Sequence, residues 1–246
     1  MTKEDAIDRL SIRERPDSLN IMQQTWGKLL FMHWKVPLDT LRPRVPGQLE
    51  IDTHDGHAWI SLLPFTIWNM RASFLPPIPG LSAMHELNVR TYVHRRGTPG
   101  IYFFSLDANS AAVVLGARTF FLVPYYNAEM SLKQDGDRIN YHSRRTHADA
   151  PPAAFEAAWK IGKPMPESQP GSLEFFLAER YCFYTVSGES VYRCRVHHAP
   201  WPLQTATVSH YSSTMIEAAG IPEPTSQPLL QYAEELTVDI WPLEKV

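Results

Sequence analysis

The chain has 246 residues, is 44% apolar and 20% charged, and carries a net charge of -3, a composition able to bury a substantial core. That charge gives no electrostatic basis for binding nucleic acid or an anionic membrane surface. Two cysteines, Cys182 and Cys194, are too few for a disulfide framework or a cysteine metal cluster, and no apolar run reaches the roughly 18 residues of a spanning helix.

Residues 1–20 are polar, lack the apolar stretch of a secretory signal, and read as a loosely attached arm or short helix. The rest, 21–246, reads as one domain, and a cytoplasmic location is expected. The aromatic-rich run at 28–36 predicts a strand closed by Pro37, followed by a helical turn or two that Pro43 and Pro46 stop. Asp55-Gly56 accepts the positive φ angles of a tight turn and predicts a hairpin between the β-rich runs on either side. The proline-rich stretch 74–80 predicts a stiff loop that either rims a pocket or simply connects.

Two strands are expected next, MHELNVRTYVHR and GIYFFSLDAN. Alternation puts Glu86, Asn88, Arg90 and Tyr92 on one face of the first, either solvated or lining a polar cavity. Residues 109–121 suggest a short buried helix capped by Asn109 or Ser110, and the run 120–123 reads as buried. Pro124 then turns the chain into Tyr125 and Tyr126. Each phenol has an apolar body and a polar tip, which suits the wall of a mostly apolar pocket.

Asp135-Gly136 predicts a second hairpin and Ser187-Gly188 a third. Residues 146–170 read as a long connection with a helical turn near Phe155. A helix capped by Ser172 and ending near Arg180 is expected, then strands, a short helix stopped by Gly220, and a last strand around ELTVDIWPL. Cys182 and Cys194 flank the third hairpin and read as buried thiols. The sum is a mainly β protein with short helices (α+β). Its hairpins predict an antiparallel β-barrel or a strongly bent sheet.

Phosphate loops, dinucleotide fingerprints, HExxH and GxSxG are absent from the sequence. His33, His85, His94, His197 and His198 could meet in space, yet none has metal-ligand spacing, so neither a metal nor a cofactor is expected. His197 and His198 precede Trp201, and one of them could face a cavity; a satisfied structural histidine is the plainer reading.

The stretch from Glu86 to Ala128 resembles the acetoacetate decarboxylase-like superfamily. The family's Gly-Arg-Glu followed by Phe-Pro-Lys-Lys-Leu-Ala is matched by Ala117-Arg118-Thr119 and Val123-Pro124-Tyr125-Tyr126-Asn127-Ala128. The segments HWKVP, DGHAWISLLPF, ELNVRTYV, YFFSLDA, LAERY and HHAPWPLQ resemble the YqjF-like proteins, an uncharacterised bacterial family of that superfamily. The resemblance implies a β-barrel with an internal cavity, an inward-facing Glu86 and Arg90, and a homo-oligomer. It implies no established activity.

One departure restricts the chemistry. The decarboxylase condenses a lysine with its substrate, and a second, cationic lysine beside the first activates it by depressing its pKa. Here that lysine pair is Tyr125-Tyr126. A phenol cannot form an imine. Lys28 and Lys35 are the lysines nearest in strand-like sequence, and lysines usually extend to water. Two functional readings remain. In the first, an enzyme acts on a small oxo or carboxylate compound by enolisation, hydration or aldol-type steps, with Tyr125, Glu86 and Arg90 as catalytic candidates. Arg118, Tyr126, Tyr92, His33 and His197 are then the ligand-binding candidates. In the second, the same cavity holds an anionic or carbonyl-bearing metabolite without turning it over. A purely structural reading pairs Arg118 with Glu86 or Asp107.

Overall fold

A computed structural model describes residues 7–77 and 82–246. The strands are β1 (Met22–Val36), β2 (Glu50–Ile51), β3 (Ala58–Ala72), β4 (Met84–Arg95), β5 (Thr98–Ala108), β6 (Tyr125–Asp135), β7 (Arg138–Arg145), β8 (Ala154–Pro164), β9 (Cys182–Ser187), β10 (Ser190–His197), β11 (Leu203–Ser213) and β12 (Leu229–Lys245). Four short helices, α1 (Leu38–Leu41), α2 (Ala111–Gly116), α3 (Leu173–Ala178) and α4 (Met215–Ala218), sit between them. All strands belong to one sheet, ordered β10-β9-β5-β6-β7-β8-β11-β12-β1-β3-β4-β2. The additional pairings β10–β12 and β4–β5 bring the sheet back on itself.

The central strands are buried on both faces, so they read as continuous apolar runs. In β1, Leu30, Met32 and Trp34 pack into one core with Tyr141, Phe155 and Trp159. Leu29 and Phe31 point the other way, into a second core with Phe65, Met84 and Trp201. The strand bends at Gly27-Lys28, where the register with β3 slips and Lys28 takes a φ of 54°. A Cβ on Gly27 would lie 2.1 Å from Trp68 Cη2 and 2.7 Å from Glu234 O, so this close approach requires glycine.

Several expectations are corrected. Asp55-Gly56 does form a tight turn, with φ of 50° and 73°, but one bridge closes it, His54–His57, and β2 pairs with β4 instead of β3. A further hairpin, absent from the sequence expectations, turns at Arg96-Gly97 between β4 and β5. The pairing is not wholly antiparallel, because β5 runs parallel to both β6 and β9. The connection expected at 146–170 contains β8, whose Phe155, Ala157 and Trp159 are buried in alternation. Helix α2 lies on the surface, and Phe120 in the π-helical turn after it is 74% exposed. Of the loop 74–80, Phe74 and Leu75 are exposed, while residues 78–80 lie outside the described residues.

Residues 7–20 lie against the sheet. Ile12 is buried, Arg9 reaches Asp52, and Ser18 accepts from Trp241 Nε1 at 2.8 Å. Cys182 and Cys194 are buried free thiols.

Candidate functional site

A pocket of about 250 Å³ opens beside the second core. Its wall is mostly apolar and includes Met22, Trp26, Phe65, Ile101, Phe103, Leu106, Val113, Phe121, Phe183 and Trp201. The polar groups are few: Glu86, Asn88 and Arg90 from β4, Tyr125 from β6, Arg180 and His198, with Gln24 beside Trp26. This pattern, a convergent polar set in an apolar chamber, is typical of small-molecule sites.

Strand alternation explains who faces the pocket. Glu86, Asn88 and Arg90 sit at i, i+2 and i+4 of β4, and all three line it. Leu122, in the left-handed region at φ 54°, ends the π-helical turn and swings the chain into β6. Residues Leu106, Asp107 and Ala108 then pair in parallel with Tyr125, Tyr126 and Asn127. Adjacent strand residues face opposite ways, so the two phenols part company. Tyr125 enters the pocket; Tyr126 lies under Arg145, whose Cζ is 4.2 Å from the ring centroid, and against His147.

Tyr125 donates its hydroxyl hydrogen to Glu86 Oε2 at 2.5 Å, and Asn88 Nδ2 donates to Oε1 at 3.3 Å. Burial pushes the Glu86 carboxyl from its ordinary 4.5 up to about 7, against the opposing pull of those two donors. Burial, and then the nearby Glu86 charge, raises the Tyr125 phenol well above its usual range, so it stays protonated as a donor.

Arg90 is 7% exposed, and among the described residues it forms no ion pair. Its Nη2 donates to Leu177 O at 3.5 Å, and its Nε has no partner. Arg180 is also buried: Nη1 donates to Asp52 Oδ2 at 2.7 Å, Nε to Phe176 O at 2.8 Å, and Nη2 has no partner. The Tyr92 ring lies between the two guanidiniums, 5.9 Å from Arg90 Cζ and 4.8 Å from Arg180 Cζ. Burial lowers the affinity of both arginines for their protons. Asp52 is fully buried and also accepts both Nη atoms of Arg9 at 2.6 Å. Burial alone would raise the Asp52 carboxyl, but Arg180 and Arg9 hold it below its ordinary value. Asp52 therefore gives Arg180 a counter-charge that it shares with Arg9, whereas Arg90 pairs with no carboxylate among the described residues.

Of the remaining sequence candidates, none reaches the pocket wall. Arg118 is exposed and donates to Tyr125 O at 2.8 Å, so it braces the turn; Asp107 pairs with Arg145 instead. Tyr92 and His33 join a buried network away from the pocket wall: Ser61 Oγ lies 2.7 Å from the Tyr92 hydroxyl and 2.6 Å from His33 Nδ1, and Tyr92 donates to Leu177 O at 3.1 Å. Burial and the Arg90 charge push His33 down to about 3, so it is neutral. His198, stacked on Tyr181 at 4.4 Å, takes the pocket position in place of its neighbour His197, which faces a shallow surface depression. The lysines expected nearest lie elsewhere. Lys28 pairs with Glu234, and Lys35 lies 5.7 Å over the Trp59 ring. Among the described residues the pocket wall holds no lysine. Arg180 and Asp52 were missed as site residues. The available signal was a charged pair, Glu179-Arg180, set in the otherwise aromatic and apolar FFLAERYCFY.

This returning sheet with its buried acid, phenol and arginines has the acetoacetate decarboxylase-like fold. The enduracididine biosynthesis enzyme MppR, solved with pyruvate, superposes with a TM-score of 0.63 at 12% identity, covering 94% of this chain and 93% of its own. An acetoacetate decarboxylase-like enzyme from Sphingomonas wittichii RW1 gives 0.61 at 9% identity over 93% and 94% of the two chains. An acetoacetate decarboxylase gives 0.55 at 14% over 100% and 98%. Within that fold, the chain belongs to the DUF2071 family, described as "Uncharacterized conserved protein (COG2071)", whose model matches residues 23–237. The uncharacterized protein YqjF of Bacillus subtilis (strain 168) is 48% identical over 231 residues, 94% of each chain.

Proposed function

We propose that this protein binds a small oxo acid and moves a proton on it without forming an imine. The sheet closes as a barrel around the pocket, and the substrate carboxylate pairs with Arg90, with the free Nη2 of Arg180 beside it. The observation that carries this reading is the buried, uncompensated Arg90. An unpaired buried charge is costly, and a site that keeps one is built to receive its opposite. A guanidinium suits a carboxylate because it offers paired charge-assisted hydrogen bonds.

Glu86 supplies the chemistry. With a pKa of about 7 it is close to half ionised at neutral pH, so it can both accept and return a proton. In an enolisation, the proton on the carbon beside the carbonyl passes to Glu86. The electron pair moves to the carbonyl oxygen, and Arg180 stabilises the resulting enolate. Returning the proton, or letting the enolate attack a second carbonyl, completes isomerisation or aldol-type chemistry. Tyr125 holds Glu86 in place. That MppR, of the same fold, was solved with pyruvate and with a condensation product of pyruvate supports the oxo-acid class.

The test is proton exchange. Pyruvate in deuterated buffer should lose its methyl-proton signal faster with the protein than without, and Glu86→Gln should cut that rate by about 10²–10⁴. Binding without exchange would reduce the protein to a carrier. Borohydride added with pyruvate should leave the protein mass unchanged; a trapped adduct would refute the imine-free route.

A further inference from the structure

The charged groups of the pocket wall are buried. Glu86, Asn88, Arg90, Arg180 and His198 are all between 3% and 7% exposed. The outer part of the wall is made by the surface turn after α2, where Phe120 is 74% exposed and Gly116 and Ala117 are half-buried. Between floor and mouth the wall is apolar: Ile101, Phe103, Leu106, Val113, Phe121 and Phe183. Leu115 and Leu122, in the same stretch of chain, are exposed as well.

A ligand taken up here meets its charged partners last. About 250 Å³ is room for roughly eight water-sized groups at about 30 Å³ each. The head of a three-carbon oxo acid fills fewer than half of these. The remainder is apolar space, and water gains little from such walls because they offer it no hydrogen bonds.

We propose that the natural ligand is an amphiphilic oxo acid: a carboxylate head on Arg90 and an apolar tail of about four to five carbons reaching toward Phe120. This rests on the carboxylate-binding reading above and specifies its substrate class. Each methylene buried in the shaft strengthens binding by about four-fold. Gly116 lines the pocket four residues before Phe120. It has ordinary helical φ and ψ of -60° and -46°, and a Cβ there meets no atom within 4 Å. A larger side chain at this position therefore has open space before it and does not disturb the fold.

The experiment is calorimetric titration of straight-chain 2-oxo acids of four, six, eight and ten carbons, with matching alkanols as uncharged controls. The protein should bind the eight-carbon acid on the order of a hundred-fold more tightly than the four-carbon acid, with little gain beyond. Gly116→Leu should weaken the eight- and ten-carbon acids and leave the four-carbon acid unchanged. Equal affinity at every length, with Arg90→Ala still abolishing binding, overturns the tail assignment and leaves the head reading intact. Chain-length dependence shared by the alkanols and unaffected by Arg90→Ala overturns the head reading. No binding of any acid overturns both.

Discussion

Replacing Glu86 with glutamine should stabilise the protein, and more so as pH rises. The carboxyl ordinarily titrates at 4.5 and is pushed by burial to about 7 in the fold. Its folded value is raised, so the sign is fixed. Below pH 4.5 both folded and unfolded chains are protonated and Glu86 costs nothing. Between 4.5 and 7 the unfolded chain gives up its proton while the folded one keeps it, and stability falls. Above 7 both are ionised and the penalty is constant. The interval of about 2.5 pH units, at about 1.36 kcal/mol each, gives about 3 kcal/mol when complete. Most of that penalty is absent at pH 5 and nearly all of it is present at pH 8. Glutamine keeps the size and can still accept from Tyr125, but it carries no charge. Urea unfolding of both proteins at pH 5 and pH 8 should show the advantage of Glu86→Gln widening by about 2–3 kcal/mol. A gap that stays constant, or narrows with pH, would mean that Glu86 is ionised in the fold and already paired with Arg90. The anion site would then be filled from within.

Other substitutions separate binding from stability. Asp52→Ala strands Arg180 and Arg9 without their shared carboxylate and should destabilise the protein by about 3–5 kcal/mol in urea unfolding. Arg90→Ala, which removes an unpaired charge, should leave stability equal or higher. Gly27→Ala should cost several kcal/mol, since the added Cβ would lie 2.7 Å from the backbone oxygen of Glu234 and 2.1 Å from Trp68; near-wild-type stability would show that the bulge yields easily. Oxo-acid affinity should fall above pH 7, as ionised Glu86 repels the bound carboxylate. This pH dependence should vanish in Glu86→Gln.

What could be read beforehand was local. The turns at Asp135-Gly136 and Ser187-Gly188, the cap at Ser172 on Phe175, and strands β4 and β5 are written in dipeptides and in a period of two. AFEAAWKI hid its strand because alanine favours helices, even though Phe155, Ala157 and Trp159 alternate. The parallel pairs β5–β6 and β5–β9 depend on chain closure at long range, which no local pattern encodes. The same gap decided the site. Alternation put Glu86 and Arg90 on one face without deciding between solvent and cavity, the resemblance favoured the cavity, and the proline turn marked Tyr125. Separating Tyr125 from Tyr126 needed the register with β5, and Arg180 with Asp52 needed contacts 128 residues apart.

The most direct measurement is a crystal structure of the protein soaked with a 2-oxo acid. The carboxylate should lie within about 3.2 Å of Arg90, the carbonyl near Glu86 and Arg180, and the ligand density should be separate from every side chain. Density continuous with a lysine nitrogen, or a ligand seated away from an Arg90 that remains unpaired, would contradict this.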